Sequence, residues 1–478
     1  MDYEVVIGLE THTQLNTATK LFCGCSTAFG AKPNSLTCPV CIGMPGVLPV
    51  MNRSAVEKVI KIAIAMNCTI DQNTYMDRKS YYYPDLPKNY QISQSHSNLG
   101  FEGCLDIEVD GEVKRIGIDN VHLEEDAGKL IHPEGRSVAY TMVDLNRTGT
   151  PLCEIVTKPD MRSVEEARVF MEQLQSMLLY LDASDCKMQE GSLRFEASIS
   201  LRPRGQKKLG NRVEIKNLNS MKAVVKCLEY EIKRQAQVLD EGGTVHQETR
   251  LWDDAANVSA LMRRKETAQD YRYFPEPDLH PIAISDEWLA KIRTTLPEMA
   301  HERSRRLVHD YNLPAYDAGV LVVDKALADY FEEVARLTGD PKAAANIVMT
   351  EVLRELKERK LEIGRLSVTP ERLAKLLMLV KEATISYNIA KEVLIEMIDT
   401  GETADAIVEK KGLKQISDTA ELEAVISQVM NEFPAAVNDL KGGKKQALGF
   451  LLGQIMRKTK GKANPQLINK LLTEKVGA

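Results

Sequence analysis

Apolar and polar residues alternate along the first part of this chain and follow a helical period in the rest. Residues 4–15, EVVIGLETHTQL, begin with a β-branched apolar run that predicts a strand. The stretch 105–130 alternates in the same way, with Asp110-Gly111 as a hairpin signal. Apolar residues at helical spacing follow Asn52 and Ser163, both good N-cap residues. This part of the chain therefore predicts a sheet accompanied by helices.

From about Ile292 onward the pattern is helical throughout. Thr369-Pro370-Glu371 offers an N-cap, a proline at the first helical position and an acid in the first turn, and Gly401 predicts a helix end. The stretch 409–415, rich in Lys and Glu, predicts a linker before a last helical unit. At 478 residues the chain is too long for one ordinary core. We therefore expect an α+β protein with three domains, at residues 1–292, 293–408 and 409–478.

Composition narrows the class of protein. The hydrophobic fraction of 44% and charged fraction of 27% are typical of globular proteins. No apolar run approaches the roughly 18 residues of a membrane span, and no secretory signal is visible, so we expect no membrane association. The nine cysteines are an odd number, which argues against a disulfide framework and favours the reducing cytoplasm.

The charge is unevenly distributed. From Lys441 to the end there are nine Lys or Arg residues and one acid, which leaves 53 basic and 67 acidic residues elsewhere. Such a basic end predicts contact with a polyanion such as nucleic acid, although a solvated lysine-rich helical face would explain it equally well. The segment Lys441-Gly-Gly-Lys444-Lys445 could lie against a ribose-phosphate backbone. Alternatively, Gly449 and Gly453 let two helices pack closely, and both interpretations can hold.

Acidic residues and a histidine supply the first candidate site. Glu10 and His12 stand two residues apart on the predicted first strand, so both lie on one face. They could form a hard-cation site or an acid–base pair, or they could be solvated residues of an edge strand. The run Glu124-Glu125-Asp126 ends another predicted strand and is a second candidate wall. A few carboxylates of this kind suit Mg²⁺ that grips substrate phosphates, whereas the alternative is a solvated acidic turn.

Four cysteines supply the second candidate site. Cys23-Gly-Cys25 and Cys38-Pro-Val-Cys41 have the form of two short knuckles that close on a tetrahedral zinc. Four thiolate ligands leave no open position, so the zinc would be structural. The alternative is four buried thiols without metal.

Cations and aromatics cluster in the stretch 77–94, DRKSYYYPDLPKNYQISQ, where Pro84 and Pro87 mark an ordered loop. Its cations could neutralise phosphates and its tyrosines could stack on a base or sugar, or the whole could be a tyrosine-rich packing loop. Further along, Arg147 lies in a polar loop that could reach a phosphate or carboxylate. Lys216 precedes a long helix, at a position where anions bind well.

The motifs VIGLETHTQL, CPVCIGMPGVLP, YYYPDLPKNYQISQ, LEEDAGKL, DLNRTGTPL, MQEGSLR, EIKNLNS and DYRYFPEPDL resemble, in order, those of one family. It is the B-subunit family of the tRNA-dependent amidotransferases, which act on glutamyl-tRNA(Gln) and aspartyl-tRNA(Asn). The likeness covers essentially the whole chain. It implies a mixed or antiparallel-sheet cradle domain, a helical domain and a small helical tail domain similar to the YqeY fold. The family often has glycine where Asn89 stands.

The resemblance also implies an activity and partners. The chain would be the kinase and transamidase subunit of a ligase, in a heterotrimer with an amidase A subunit and a small C subunit. With ATP and Mg²⁺ it would phosphorylate the side-chain carboxylate of Glu or Asp esterified to tRNA. Ammonia from the amidase would then displace phosphate to give Gln-tRNA or Asn-tRNA. The competing interpretation is a non-catalytic scaffold that binds tRNA.

Matching positions of this chain receive roles by the same resemblance. The catalytic residues would be Glu10, His12, Lys79 and Glu125. The magnesium shell would comprise Glu10, His12 and Glu125, with Glu124 and Glu190 near it. Nucleotide, phosphate or the ester end of the tRNA would be bound by Lys79, Tyr81, Tyr82, Arg147 and Lys216. Structural zinc would be held by Cys23, Cys25, Cys38 and Cys41.

Overall fold

The computed structural model describes residues 2–133, 140–264, 271–415, 419–441, 445–459, 463 and 465–476. Gly442, Gly443 and Lys444, in the basic segment proposed to contact a ribose-phosphate backbone, lie outside the described residues. The chain divides into two compact units, Met1–Met299 and Ala300–Ala478. The first unit contains the sheets and the second is helical, which confirms the α+β class.

The strands of the first unit are, in chain order, β1 (Tyr3–Gln14), β2 (Thr69–Ile70), β3 (Asn73–Thr74), β4 (Asp77–Ser80), β5 (Tyr90–Ser93), β6 (Gly100–Val109), β7 (Glu112–Glu125), β8 (Lys129–Ile131), β9 (Met142–Asp144), β10 (Pro151–Thr157), β11 (Leu193–Pro203), β12 (Val213–Lys216), β13 (Glu248–Asp253), β14 (Val258–Arg264), β15 (Phe274–Pro275) and β16 (Ile282–Ala283). Its helices are α1 (Arg53–Ala65), α2 (Val164–Tyr180), α3 (Met221–Asp240) and α4 (Asp286–Arg293), with a 3₁₀ turn at Met188–Glu190.

Nine strands form the main sheet, in the order β14-β13-β12-β11-β1-β10-β7-β6-β2. Neighbouring strands run antiparallel except β12 and β13, which are parallel, so the sheet is mixed. The opening strand β1 lies between β10 and β11 in the middle of this sheet. The interpretation of β1 as an edge strand is therefore wrong. The predicted hairpin at Asp110-Gly111 is confirmed, because β6 and β7 pair directly around it.

Alternation along β1 gives the main sheet two different faces. Ile7, Leu9, Thr11 and Thr13 are buried, whereas Gly8, Glu10, His12 and Gln14 between them are half-buried. The buried face packs with α1, α2 and α3 into the main hydrophobic core. The opposite face, which carries His12, lines a cavity. One face of β1 thus contributes to the hydrophobic core, and the side chains of the other face can contact a ligand.

Local signals account for the helix boundaries of this unit. The Asn52 side chain accepts hydrogen bonds from the backbone N–H groups of Ser54 and Ala55, and Ser163 accepts one from Glu166. Both predicted N-caps are confirmed. The proline-rich stretch is a hairpin of β4 and β5 closed by the loop 81–89, so Lys79 lies on a strand. Asn89 has a φ of 60°, a left-handed conformation that asparagine tolerates better than most residues.

The second unit consists of α5 (Ala300–Tyr311), α6 (Ala315–Leu321), α7 (Lys325–Thr338), α8 (Pro341–Ile347), α9 (Leu353–Arg359), α10 (Pro370–Lys381), α11 (Tyr387–Thr400), α12 (Ala404–Lys410), α13 (Thr419–Glu432), α14 (Pro434–Lys441), α15 (Lys445–Lys458) and α16 (Pro465–Val476), with a π-helical turn at Val348–Val352 and a 3₁₀ turn at Ile363–Arg365. Gly401 ends α11 with a φ of 72°, as predicted. Thr369 is the N-cap residue of α10, although its side chain makes no capping hydrogen bond to the helix.

Two separate hydrophobic clusters lie inside this helical unit. One spans residues 307–408 and the other 422–472. Their separation favours a division near residue 408, which stays a proposal, while the boundary before the unit falls between Met299 and Ala300. A Cβ added at Gly449 or Gly453 would meet no atom within 4 Å among the described residues. Close packing of two helices at these glycines is therefore wrong for the part of the chain described. In the same part of the chain, no helix combines the length and the apolar character needed to cross a bilayer.

Candidate active site

Three neighbouring strands bring two carboxylates and two imidazoles together on the open face of the main sheet. In the register of the sheet, His12 on β1 pairs with Glu154 on β10, which pairs in turn with His122 on β7. Glu124 follows His122 by two residues and shares its face. The Glu154 Oε2 atom lies 3.3 Å from His12 Nε2 and 3.3 Å from His122 Nε2. The Glu124 Oε1 atom lies 3.8 Å from His12 Nε2.

Burial makes the charges of this cluster strongly interdependent. Desolvation alone would lower the pKa of His12, but the Glu154 and Glu124 carboxylates outweigh it and raise the pKa to about 9. Desolvation, reinforced by Glu154, raises the pKa of Glu124. Glu154 behaves in the opposite way, because His122 and His12 overcome the effect of burial and lower its pKa. Two carboxylates this close are stable together only with a cation or a proton between them.

The donor set fits a divalent cation. One ligand atom each from His12, Glu124 and Glu154 can be chosen so that all lie within 4.8 Å of one another. One imidazole and two carboxylates would leave other coordination positions for water or phosphate oxygens. Imidazole is a more usual ligand of Zn²⁺ or Fe²⁺ than of Mg²⁺, so the donor set alone does not select magnesium.

Above this cluster lies a cavity of about 820 Å³ whose walls carry both charges and rings. Lys79 points its ammonium at two tyrosines, with Nζ 5.9 Å from the ring centre of Tyr81 and 5.0 Å from that of Tyr271. Burial would lower the pKa of Lys79, but Glu124 and the neighbouring tyrosines hold it above its ordinary value. The side chain therefore stays a cation beside the carboxylates.

Other predicted residues line the same cavity. Tyr82 and Tyr83 are largely exposed at its edge, and Arg147 and Lys216 lie in its walls. Arg147 donates hydrogen bonds to the backbone carbonyls of Ala127 and Gly128. Lys216 Nζ lies 2.6 Å from Glu196 and 3.2 Å from Glu214. The structure thus brings Lys79, Tyr81, Tyr82, Arg147 and Lys216 to one cavity with His12 and Glu124.

Glu125 does not join this group, because adjacent strand residues face opposite sides. Its carboxylate accepts a hydrogen bond from the buried Lys88 ammonium and another, 3.0 Å long, from the backbone N–H of Ile92. It lines a different cavity of about 230 Å³, beside Cys41 and Gly149. The sequence could not favour Glu124 over Glu125 without knowing which face was open.

Glu10 and Glu190 also lie apart from the cluster. Glu10 shares the face of His12, but it borders a third cavity of about 240 Å³ and lies directly opposite Glu196 on β11 and Val156 on β10. Burial, then Glu154 and Glu196, raises the pKa of Glu10. Glu190 ends the 3₁₀ turn after α2, where its Oε1 atom lies 3.5 Å from Lys187 Nζ. Neither carboxylate belongs to the group of atoms that can share one metal ion.

Sequence reasoning missed Glu154, His122 and Arg194. Glu154 is the one charged residue in PLCEIVT, an otherwise apolar strand, and a lone charge in a buried strand is a signal that could have been used. His122 stands two residues before Glu124, in the same alternating pattern that linked Glu10 with His12. Arg194 had no such signal, because only the pairing of β1 with β11 places it opposite His12.

The four knuckle cysteines converge at a second site. Their sulfur atoms lie within 4.8 Å of one another, which fits a tetrahedral Zn²⁺ site. The backbone N–H of Cys38 donates to the Cys41 sulfur at 3.1 Å, and Lys20 Nζ lies 3.5 Å from that sulfur. A hydrogen bond from Cys23 is the main cause of a lowered pKa at Cys41, and Lys20 adds to it. These contacts favour the thiolate form of Cys41, the form that binds metal. None of the nine cysteines, all of which lie in described ranges, forms a disulfide.

Comparison with known proteins covers nearly the whole chain. Residues 5–290 match the family model described as the GatB/GatE catalytic domain, and residues 329–476 match the one described as the GatB domain. The chain is 54% identical over 476 residues to the B subunit of the aspartyl/glutamyl-tRNA(Asn/Gln) amidotransferase of Carboxydothermus hydrogenoformans, covering 99% of each chain. The proteins of the same name from Moorella thermoacetica and Caldicellulosiruptor bescii are 54% and 52% identical, covering 100% and 99% of their own lengths.

Proposed function

The chain belongs to the family of B subunits of the aspartyl/glutamyl-tRNA(Asn/Gln) amidotransferase, and from this membership we propose its chemistry. It uses ATP to phosphorylate the side-chain carboxylate of Glu or Asp esterified to tRNA, and then exchanges the phosphate for ammonia. The observation that carries the proposal is the His12, Glu124 and Glu154 cluster beneath a cavity of about 820 Å³ rich in cations and tyrosines.

The reaction needs two displacements. In the first, an oxygen of the side-chain carboxylate forms a bond to the γ-phosphorus of ATP. The bond from that phosphorus to the bridging oxygen breaks, and ADP leaves with the electron pair. In the second, the nitrogen of ammonia bonds to the acyl carbon, inorganic phosphate leaves with the electrons of the carbon–oxygen bond, and the nitrogen loses one proton. Phosphorylation is needed because phosphate is a far better leaving group than an oxide ion.

The residues of the cavity suit phosphoryl transfer, which depends on positioning and charge rather than on a covalent protein intermediate. His12, Glu124 and Glu154 would hold a divalent cation, which when bound supplies positive charge to phosphate oxygens. Lys79 adds a fixed cation beside them, and Tyr81 and Tyr271 offer rings for a base or ribose. Of the carboxylates expected in the metal shell, Glu10, Glu125 and Glu190 lie outside the cluster and receive no metal-binding role.

Partners and zinc form a second part of the proposal. The relatives are named as one lettered subunit of an amidotransferase, which supports assembly with other subunits, and we propose an amidase A subunit and a small C subunit. Large apolar side chains more than half exposed between residues 29 and 50 support such an interface: Phe29, Met44, Leu48 and Val50. The four cysteines that would bind structural Zn²⁺ lie within this segment, at Cys38 and Cys41, and just before it, at Cys23 and Cys25, so the metal would help to fix its conformation. Nine reduced cysteines support a reducing compartment, the cytoplasm.

The test uses the chain assembled with its amidase and small subunits. ATP hydrolysis should require Glu-tRNA(Gln) or Asp-tRNA(Asn), and Glu154→Gln should abolish it while tRNA affinity and glutamine hydrolysis stay within about threefold. Arg115→Lys, at an exposed pair with Asp106, is the control. If Glu154→Gln forms the amide at the parental rate, the chain is a tRNA-binding scaffold and the proposal fails.

A further inference from the structure

Arg194 lies beside the metal-ligand cluster of His12, Glu124 and Glu154, but it is not one of the residues that would hold the metal. It lies on β11 directly opposite His12 on β1, and both side chains are on the open face of the main sheet. Side chains opposed in this way have Cβ atoms roughly 4.5–5.5 Å apart. Arg194 also lines the cavity of about 820 Å³. Its guanidinium is therefore a fixed positive charge next to the place where a divalent cation would bind.

One buried carboxylate holds this guanidinium in place. Asp126, only 4% exposed, accepts a hydrogen bond of 3.2 Å from Arg194 Nη2. The second oxygen of Asp126 accepts one of 2.7 Å from Gln14 Nε2 and lies 3.6 Å from Arg147 Nε. Asp126 is thus fixed from several directions and fixes Arg194 in turn. A long side chain anchored at one end of its guanidinium keeps a defined direction at low entropic cost.

Asp126 does not pair the whole Arg194 guanidinium, and 37% of the Arg194 side chain is exposed, so a ligand can reach it. Its Nε atom is buried and has no hydrogen-bond acceptor among the described residues. An unpaired buried N–H is unfavourable in a folded protein and often marks a group that receives its partner from elsewhere. The neighbouring cations differ, since Arg147 donates to two backbone carbonyls and Lys216 is paired with two carboxylates.

The position of Arg194 next to the candidate metal site favours an anionic ligand. If His12 and Glu124 held a cation, an anion that contacts Arg194 would lie beside that cation as well, because Arg194 is directly opposite His12. A phosphoryl group has the charge and the divergent oxygens for this, and a guanidinium fork matches two of those oxygens. We propose that Arg194 is a catalytic residue that binds the phosphoryl group during its transfer from ATP to the side-chain carboxylate, and that Asp126 is its positioning residue.

This assignment rests on the proposed function. While the bond from the γ-phosphorus to the bridging oxygen breaks and the bond to the carboxylate oxygen forms, negative charge spreads over the transferred group. Arg194 neutralises part of it, and no proton moves in the step. Such an interaction is stronger in the transition state than with bound ATP, so its loss should lower kcat much more than ATP affinity.

The experiment compares Arg194→Lys and Asp126→Asn with the control Arg115→Lys in the complete complex. Arg115 also forms a two-pronged contact with a carboxylate, Asp106, but at the exposed surface. Two quantities are measured for each variant: kcat for aminoacyl-tRNA-dependent ATP hydrolysis, and the affinities for Mg-ATP and for Mg-ADP with aluminium fluoride, a planar mimic of the transferred group. Arg194→Ala with and without added guanidinium ion provides a rescue test.

We expect Arg194→Lys to lower kcat and the affinity for the aluminium fluoride mimic by about 10²–10³-fold, as loss of a transition-state donor does. ATP affinity should change less than about threefold, Asp126→Asn should lower kcat by about tenfold, and guanidinium should restore part of the activity of Arg194→Ala. The assignment is overturned if ATP and mimic affinities fall equally, which indicates a structural role, or if kcat stays within threefold. A parent complex without aminoacyl-tRNA-dependent hydrolysis would instead refute the proposed function.

Discussion

Glu124 and Glu125 are adjacent in the chain and face opposite sides of the main sheet, so replacing each with Gln is a matched test of the site. Glu124 belongs to the ligand cluster with His12 and Glu154. Glu125 is paired with Lys88, and both side chains are almost fully buried. Glu124→Gln should therefore remove metal binding without loss of stability. Glu125→Gln should lower stability without loss of metal binding.

The size of each effect follows from the surroundings. Two unit charges 4 Å apart attract by about 4 kcal/mol at an effective dielectric constant of 20, and a divalent ion doubles this before desolvation is subtracted. Loss of only an outer partner of a metal ligand lowers affinity about 10–100-fold, so loss of the Glu124 ligand should cost at least about 100-fold. Removing Glu125 leaves the Lys88 ammonium buried and unpaired, which should cost about 3–5 kcal/mol.

Glu124→Gln and Glu125→Gln should change the free energy of unfolding in different ways. Burial and the Glu154 carboxylate raise the pKa of Glu124, so its ionised form is unfavourable in the folded protein without metal. A neutral glutamine should therefore leave the free energy of unfolding unchanged or slightly higher in metal-free buffer. It can still accept the hydrogen bond from Ser93 Oγ.

Two assays separate these outcomes. Mn²⁺ binding is followed by its paramagnetic resonance signal, and stability by urea unfolding of the metal-free chain. We expect weakened Mn²⁺ binding only in Glu124→Gln and a lowered urea midpoint only in Glu125→Gln. If Glu125→Gln loses Mn²⁺ and Glu124→Gln retains it, the cluster described for the open face is not the metal site.

Three further predictions concern other parts of the chain. Cys38→Ser should lower the zinc content of the purified protein from one atom per chain to none and reduce its thermal unfolding midpoint. The control Cys186→Ser replaces a cysteine outside the four-cysteine cluster and should retain zinc. Equal zinc content in the two variants would exclude the four-cysteine site. Hydrogen bonds from Arg234 and Ser259 outweigh burial and lower the pKa of Glu231 from 4.5, so its stabilisation is present above pH 4.5 and is lost as the pH falls through the lowered value. The Glu231→Gln variant should be about 3–5 kcal/mol less stable than the parent at pH 7. Its free energy of unfolding should also fall less than that of the parent as the pH is lowered. If urea unfolding shows the same dependence of stability on pH in both proteins, this prediction is contradicted. Replacing the exposed Arg457 and Lys470 with Gln should weaken tRNA binding and reduce its salt slope by about 0.7–0.9 per lost phosphate contact; an unchanged slope measured by filter binding would remove these two residues from the interface.

The structure changes how the basic end should be tested. Removing everything from Lys441 would also remove Leu451, Ile455 and Leu472, which belong to the last hydrophobic cluster. The remaining helices would lose their core, so weaker tRNA binding could reflect unfolding alone. Substitutions of exposed cations avoid this problem because they leave the buried side chains in place.

Local patterns predicted the elements of the fold well. The β-branched run of β1, the Asn52 cap of α1 and the Asp110-Gly111 hairpin are each determined by a few neighbouring residues, and all are present. The central position of β1 was not predictable in this way. It depends on pairing with β10 and β11, which come much later in the chain.

The site shows the same limit at the level of single side chains. Period-two alternation correctly placed His12 on one face of its strand, but it could not show that Glu124 rather than Glu125 shares a face with it across the sheet. Glu154 and Arg194 meet His12 only through strand register. Register is set by the packing of whole faces, so no short motif records it.

If this subunit phosphorylates a carboxylate, one oxygen of that carboxylate must end in the released phosphate, and isotope labelling detects it. The complete complex is supplied with glutamine, ATP and glutamyl-tRNA whose side-chain carboxylate carries ¹⁸O in both oxygens. If phosphorylation precedes amidation, each amide formed releases inorganic phosphate that contains one ¹⁸O atom, which ³¹P resonance or mass spectrometry detects. Phosphate without ¹⁸O, released at the rate of amide formation, would show that ATP is hydrolysed by water and that the carboxylate is not phosphorylated.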